Sequence, residues 1–598
     1  MSAGVQEIRA ALAAGRGADP VRGLAGEEVW RRARERPATA AYRERILARA
    51  AGHARTPLGP VPFSLHRRFA EDGARTAYDE VFAARRRRLT DLALAALLDP
   101  GADLTALEDT IWAVCDEYVW ALPAHLDQLL SPAPSVPHAE QIDLVAAETA
   151  FTLAEIRRLL GARLTPLVAE RVHQEVERRV LGPFLARTHW WEKAETNWSA
   201  VCGAGVGMAA LHLLGDAEES RLAEITARVL AAMDHYLAGF GADGACREGL
   251  DYWSYGFGHH ALYAEALRER TAGRVDLFAD GAGKVARIAR FPWYAFLSGN
   301  AVAAFADTRP HGALQPGLLG LLGRRFPGLP AVPEAWLVED VLDGPGRWGA
   351  AVRSLGWEPP PSGGGTPGPG GYLPDAGWMV HRAAGAGAWG FAAKGGHNAE
   401  PHNHNDLGSF VLAAHGEPLL ADLGVGTYTR EYFGAGRYEI LCNGSQGHSV
   451  PLVAGKRQHA GAGAAARVLV AEHGDTGCRF ALDLTAAYDV DELTSLVREF
   501  TLTPGGLTLR DTYAGTAPLE VTERFVSYAA LELPAPGRAV VRGARGAVAL
   551  AYDPTRWRAE PGELRHGLRD GSTAAVRVLD LRGTLTRGSC EVTLTPLG

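Results

Sequence analysis

The chain has 598 residues, 47% of them hydrophobic and 22% charged, with a formal net charge of -8. That length exceeds what a single hydrophobic core organises and points to two or three domains. The acidic balance argues against nonspecific nucleic-acid binding, which needs a basic surface, and no apolar run reaches the roughly 18 residues of a membrane span.

Taken in chain order, the opening MSAGVQEIRAALAAGRGADP has no apolar core behind a basic start, so no secretory leader is read there and a cytoplasmic address is expected. Residues 1–60 read as an N-terminal helical extension and 61–356 as a helical domain. QIDLVAAETAFTLAEIRRLL, LTPLVAERVHQEVERRVLGPFL and ESRLAEITARVLAAMDHYLAGF carry apolar residues at helical spacing with charges between them. Short breaks at Gly and Pro suggest packed helix pairs, as a toroid or a solenoid. The run Arg85–Arg88 reads as a solvated helix face. The Pro/Gly-rich WEPPPSGGGTPGPGGYLPD marks a linker, placed at 357–372. Beyond it the period becomes two. GWMVHRA, GSFVLAAHGEPLLADLG, ARVLVAEHG, CRFALDLTAAY and LEVTERFVSY are β-prone runs between turn residues, which predicts an antiparallel β-sandwich over 373–598. The fold class is therefore α+β multidomain. The six cysteines are dispersed and form no C-x-x-C pair, which suits a reducing compartment.

Three stretches concentrate groups able to do chemistry. EKAETNWSAVCGAG holds Asn197, and DGACREGLDYWSYGFGHH holds Glu248, Tyr252, Tyr255, His259 and His260. The third, HNHNDLGSF, is followed by Asp422, Tyr428, Tyr432, Arg437, Tyr438 and His448. In an extended segment His402, His404 and Asp406 share one face, with Asn403 and Asn405 on the other. Two imidazoles and a carboxylate together are costly to bury without a metal, a substrate or a hydrogen-bond network. Each group also has a plainer reading: Asn197 as a helix cap, the tyrosines as core aromatics, the paired histidines as structural or surface residues.

In series these stretches resemble the heparinase II/III family of polysaccharide lyases and the alginate lyases built on the same plan. The matching pieces are TNWSAVCGAG (196–205), D-G-x-x-x-E-G-x-x-Y-W (243–253), and HNHNDLGSF followed by LADLGVGTY (402–428). The resemblance covers most of the chain beyond about residue 60. It implies an N-terminal (α/α) toroid, a C-terminal antiparallel β-sandwich and a site in the cleft between them. The implied reaction is β-elimination on a uronic-acid-containing glycan, in which a proton leaves C5, the C4–O bond breaks and an unsaturated sugar forms.

By the same resemblance Asn197 is the amide that neutralises the uronate, and His402 the second neutraliser or the base. Tyr252 protonates the leaving O4 oxygen and can also serve as base. Tyr255, Tyr432, Tyr438, Glu248 and Arg437 are auxiliary candidates. His404, Asp422 and His448 resemble a structural zinc site, which would brace the loop carrying His402. The partners expected are an anionic oligosaccharide, no nucleic acid and no membrane, with homo-oligomerisation left open. Three departures from the family pattern bear on the substrate: Trp198 and Trp253 stand where histidines are common, and Ser449 where the metal-site histidine is usually followed by Asn. Two rivals remain, a toroid glycoside hydrolase using Glu248 and Asp251 and a noncatalytic glycan-binding protein.

Overall fold

A computed structural model describes residues 4–361, 367–383 and 389–597 of the chain. Up to Gly356 it is mainly helical, and from Gly370 onward mainly sheet. The periodic stretches become the helices Leu144–Leu160, Pro166–Val176 and Glu219–Ala238. Asp143 caps the first of these by accepting from the Ala146 amide. At the centre lies Asn197–Leu213, whose residues are buried except Trp198. Its run of Gly and Ala lets neighbours approach closely: a Cβ on Gly205 would meet the Ala147 backbone at 2.7 Å, and one on Gly207 would meet the Tyr263 ring at 2.4 Å.

The arginine run behaves differently from the expected solvated face. Arg86 and Arg88 are buried and Arg85 and Arg87 only half-exposed. Arg85 and Arg86 both hold Glu117, at 3.0 and 2.7 Å. A charge run is solvated only when nothing packs over it. Here the helix Thr76–Leu98 is covered on that side, and the charges persist because each has an acceptor. Deeper still, Glu155 accepts from Arg353 and Trp348, with His212 Nε2 3.2 Å away and no exposed surface of its own. Burial works against its ionisation, but the Arg353 charge prevails and holds the carboxyl down at about 2.

Two features break the simple helix-then-strand order. A small antiparallel hairpin, Phe296–Ser298 with Ala301–Val302, sits inside the helical region. Its turn is Gly299-Asn300, with Gly299 at φ 52°, a tight-turn signal. The first strand of the sheet region, Gly370–Leu373, begins inside the Pro/Gly-rich stretch, as an edge strand paired, among the described residues, only with Trp378–Arg382. The part of that stretch at 362–366 lies outside the described residues.

Among the described residues the strands form sheets of two, eleven and five members. All pairings within the sheet region are antiparallel, as the period of two predicts. The long strands Gly506–Ser527 and Thr573–Leu597 form the spine of the larger sheet, in register from Leu507↔Leu594 to Ser527↔Arg577 with a shift between Ala514 and Leu519. One apolar core joins the larger sheet to the five-stranded one. Across it Phe391 and Phe410 each meet Phe500 with ring centres 5.4 Å apart. No helix among the described residues is long and apolar enough to cross a membrane, and all six cysteines are buried free thiols.

Candidate active site

The helical and sheet regions meet along a cleft of about 1740 Å³ whose walls come from both. Asn197, at the first turn of its helix, is buried and bound to Glu248 twice. Its backbone N–H donates to Oε1 at 3.0 Å and its side-chain amide to Oε2 at 2.7 Å. The Asn197 Oδ1 atom is buried with no partner among the described residues. Asn197 is therefore more than a cap, which would have bonded its own helix.

Tyr252 ends the short helix Leu250–Tyr252, and the chain then runs through a π-helical turn, Trp253–Phe257. Such turns re-aim side chains and recur at functional sites. The Tyr252 ring lies on the His402 imidazole with centres 4.0 Å apart. Its hydroxyl is 2.7 Å from that of Tyr428. Burial and the nearby Asp307 charge raise the Tyr252 phenol well above its ordinary range, against the pull of the Tyr428 hydrogen bond.

His402 is where the extended-strand expectation fails. Residues 401–409 form an irregular loop, and His402 itself has φ 55°. This left-handed conformation is uncommon for a residue with a side chain. Instead of alternating across a strand, His402 and His404 converge on one carboxylate and Asp406 turns to Lys394. That carboxylate is Asp307, which follows the small hairpin and Ala306, itself at φ 57°. His402 Nδ1 is 2.6 Å from Asp307 Oδ2, and His404 Nε2 is 3.1 Å from Oδ1. Tyr428 donates to Oδ2 at 3.1 Å, and Tyr432 donates to Oδ1. Burial alone would raise the Asp307 carboxyl, but the two imidazoles hold it far below the carboxylate range. The other His402 nitrogen, Nε2, is 3.4 Å from Glu248 Oε2. One buried network therefore runs from Asn197 through Glu248, His402 and Asp307 to the tyrosines.

Sequence reasoning missed Asp307 altogether and left Tyr428 out of the proposed site. An isolated acid in AFADTRP carries no local motif, and its partners lie 95 to 125 residues further on. Of the auxiliary candidates, Glu248 and Tyr432 belong to this network. Arg437 anchors the loop by donating to the carbonyls of Asn403 and Tyr432. Tyr438 lines the cleft. Tyr255 belongs to a separate cluster, its hydroxyl 2.9 Å from Glu148 and the Arg347 guanidinium 4.0 Å above its ring. His259 also points to Glu148, whereas His260 is fully buried.

The departures resolve individually. Trp253 points into the core and donates to the Ile288 carbonyl at 2.7 Å. Ser449 is buried and accepts from the Val526 amide. Trp198 alone of the three faces the cleft, packed 4.8 Å from the exposed Trp190 ring and 5.0 Å from His125.

Beneath the His402 loop, ligand atoms of His404, Asp422 and His448 lie within 4.8 Å of one another, all buried. Asp422 reaches this point because the chain leaves the strand Glu417–Leu420 just before it and turns under Ser409, which donates to its Oδ2 at 3.3 Å. His404 Nδ1 has no partner among the described residues, while its Nε2 is held by Asp307. His448 Nε2 is held by the Cys442 carbonyl at 2.8 Å, and its Nδ1 is 3.0 Å from Asp422. Each imidazole thus has one nitrogen fixed by an outer acceptor and the other turned inward. That is how metal-binding histidines are oriented, so the residues fit a cation of the zinc type.

A helical region joined to an antiparallel sheet region is the fold that this chain shares with several solved glycan-cleaving lyases. Residues 365–575, most of the sheet region, match the family model for the heparinase II/III-like C-terminal domain. No curated protein matches the chain. Among solved structures it is similar to the heparan sulfate lyase HepC from Pedobacter heparinus, at 12% identity and TM-score 0.57, over 93% of this chain and 87% of that one. A heparinase III aligns over 91% and 85%, at 11% identity and TM-score 0.59. A chondroitin AC lyase from Streptomyces coelicolor A3 aligns over 99% and 82%, at 12% identity and TM-score 0.54.

Proposed function

We propose that the chain is a polysaccharide lyase that cleaves uronic-acid-containing glycans by β-elimination, with its helical region an (α/α) toroid and its sheet region a β-sandwich. The observation that carries this is the 4.0 Å stack of the Tyr252 phenol on the His402 imidazole, in a cleft that Asn197 also lines. β-Elimination needs those three chemistries within one sugar ring's reach. The C5 proton is weakly acidic, and its removal builds negative charge on the uronate carboxylate, which fixed donors must stabilise.

In this reading Asn197 supplies an amide N–H to the carboxylate. Burial pushes the Glu248 carboxyl up, with His402 and the Asn197 amide pulling the other way. That shift favours the neutral acid, which would add a donor to the same group instead of repelling it. His402, with Nδ1 fixed on Asp307, presents Nε2 to take the C5 proton, the logic of an imidazole oriented by a buried carboxylate. Tyr252, whose raised proton affinity keeps it neutral, gives its proton to the departing O4, with Tyr428 behind it in hydrogen-bond contact. The hydrolase reading is disfavoured because Asp251, one of its two carboxylates, is engaged by the Arg309 guanidinium at 2.8 and 2.9 Å.

The experiment is to incubate the protein with alginate, heparan, chondroitin and hyaluronan oligomers and follow ultraviolet absorbance from a new C4–C5 double bond. Growth of that band with at least one glycan is expected. Saturated hydrolysis products without it, or binding without any cleavage, would reject the lyase.

His404, Asp422 and His448 would hold a structural zinc ion, whose charge would fix the loop between His402 and His404. The protein as purified is expected to carry about one zinc per chain. Chelation should lower its melting temperature, and His448→Ala should abolish the metal content measured by mass spectrometry. Purified protein containing only trace metal, and indifferent to chelator, would remove zinc from the proposal.

A further inference from the structure

Arginines line the cleft at several places, but almost all have their donors occupied. Arg75, Arg86, Arg309, Arg347 and Arg353 each hold a carboxylate of the protein. Arg430 and Arg437 donate to backbone carbonyls. Arg569 differs. It is exposed, and it has neither a hydrogen bond nor an ion pair among the described residues. Its one ring contact among the described residues is with Tyr428, whose ring lies 3.9 Å beneath the guanidinium carbon, a cation–π distance. Tyr428 in turn is the hydrogen-bond partner of Tyr252.

The placement is built in. Arg569 lies on the turn between the strands Arg558–Gly567 and Thr573–Leu597. That turn is closed by Leu568 N–H to the Ser572 carbonyl at 2.8 Å. It is tied to the residue before Tyr428 by Thr427 Oγ1 donating to the Leu568 carbonyl at 2.6 Å and by the Thr427 amide donating to the Gly567 carbonyl at 3.1 Å. The adjacent Asp570 is turned the other way, its Oδ1 accepting from the Ser572 amide and hydroxyl, and it forms no ion pair with the arginine among the described residues. A guanidinium stacked on a phenol keeps its edge free, and that edge matches a carboxylate or a sulfate through two parallel hydrogen bonds.

We propose that Arg569 is a substrate-binding residue that takes one anionic group, a carboxylate or a sulfate, of the sugar lying at the Tyr252 end of the cleft. This rests on the glycan-lyase reading for the nature of the ligand but on its own geometry for the contact. With a single free guanidinium beside the Tyr252–Tyr428 pair, the site reads one negative charge there. That favours lightly sulfated or unsulfated uronate chains over densely sulfated ones.

The test is calorimetric binding of alginate, heparan and chondroitin tetrasaccharides to the full-length Tyr252→Phe protein, with and without Arg569→Ala or Arg569→Lys. Carboxyl-reduced forms of each, and desulfated forms of the latter two, complete the set. Arg569→Ala is expected to weaken the best-bound tetrasaccharide roughly ten- to a hundredfold, the scale of a charge-assisted hydrogen-bonded pair. Arg569→Lys should recover part of that loss. The penalty should vanish for the carboxyl-reduced form if a carboxylate is read, or for the desulfated form if a sulfate is. The inference is overturned if Arg569→Ala binds within twofold of its parent, if it weakens neutral and anionic forms alike, or if no tetrasaccharide binds. The ultraviolet assay on the unmutated protein is read separately. Arginine-dependent binding without unsaturated product rejects the lyase and leaves Arg569 as an anion-binding residue.

Discussion

Tyr252→Phe is expected to lower turnover by roughly a thousandfold while the protein stays folded, within the range of a lost general acid. The substitution removes one oxygen and nothing else. The ring that stacks on His402 remains, so the imidazole keeps its neighbour. Tyr428 loses one hydrogen bond but retains Asp307, which limits the stability cost to about 1 kcal/mol. Binding of substrate should change little, because in the proposed reaction the phenolic proton is needed only as the O4 bond breaks. Initial rates by ultraviolet absorbance and a thermal melt read the two quantities independently. Turnover within a few-fold of the parent, with an unchanged melt, would remove Tyr252 from the reaction and leave another group to protonate the leaving oxygen.

Asp307→Ala should cause the largest combined loss, in stability as well as activity. Four donors or potential donors, from His402, His404, Tyr428 and Tyr432, converge on this one buried carboxylate. Removing it leaves them facing a cavity with no acceptor. Truncating one partner of a buried charged network costs roughly 3–5 kcal/mol. His402 would also lose the contact that fixes its orientation, and His404 the acceptor that turns Nδ1 toward Asp422 and His448. The expected results are a substantial fall in melting temperature, turnover near background, and reduced metal content. Asp307→Asn should be milder in the melt, since one acceptor oxygen survives, yet still severe in turnover. An Asp307→Ala protein that melts and turns over like its parent would show that the network is incidental.

The division into a helical region and a sheet region was legible because period and composition both change near the Pro/Gly-rich stretch. Neither signal depends on distant contacts. The stretches holding Asn197, Tyr252 and His402 were legible as unusual concentrations of polar groups, and folding brings all three to one cleft. How they connect was not legible. The His402 segment was expected to alternate across a strand, but the left-handed His402 breaks the alternation and lets two histidines face one acid. Asp307 left no trace because a lone carboxylate announces itself only through its partners. The arginine run was misread for a related reason: whether Arg86 and Arg88 meet water or Glu117 and Thr110 is decided by segments that a local pattern cannot see.

Every hydrogen-bond partner of Asp307 among the described residues comes from beyond position 400. During synthesis the first half of the chain therefore emerges carrying a carboxylate that nothing in that half satisfies. It must stay hydrated until the ribosome has delivered the sheet region. Docking of the two regions, the turn bearing Arg569 among the last pieces to arrive, is then the event that buries Asp307 and completes its hydrogen-bond network. A chain interrupted before that point would carry Asp307 without the imidazoles and phenols that surround it.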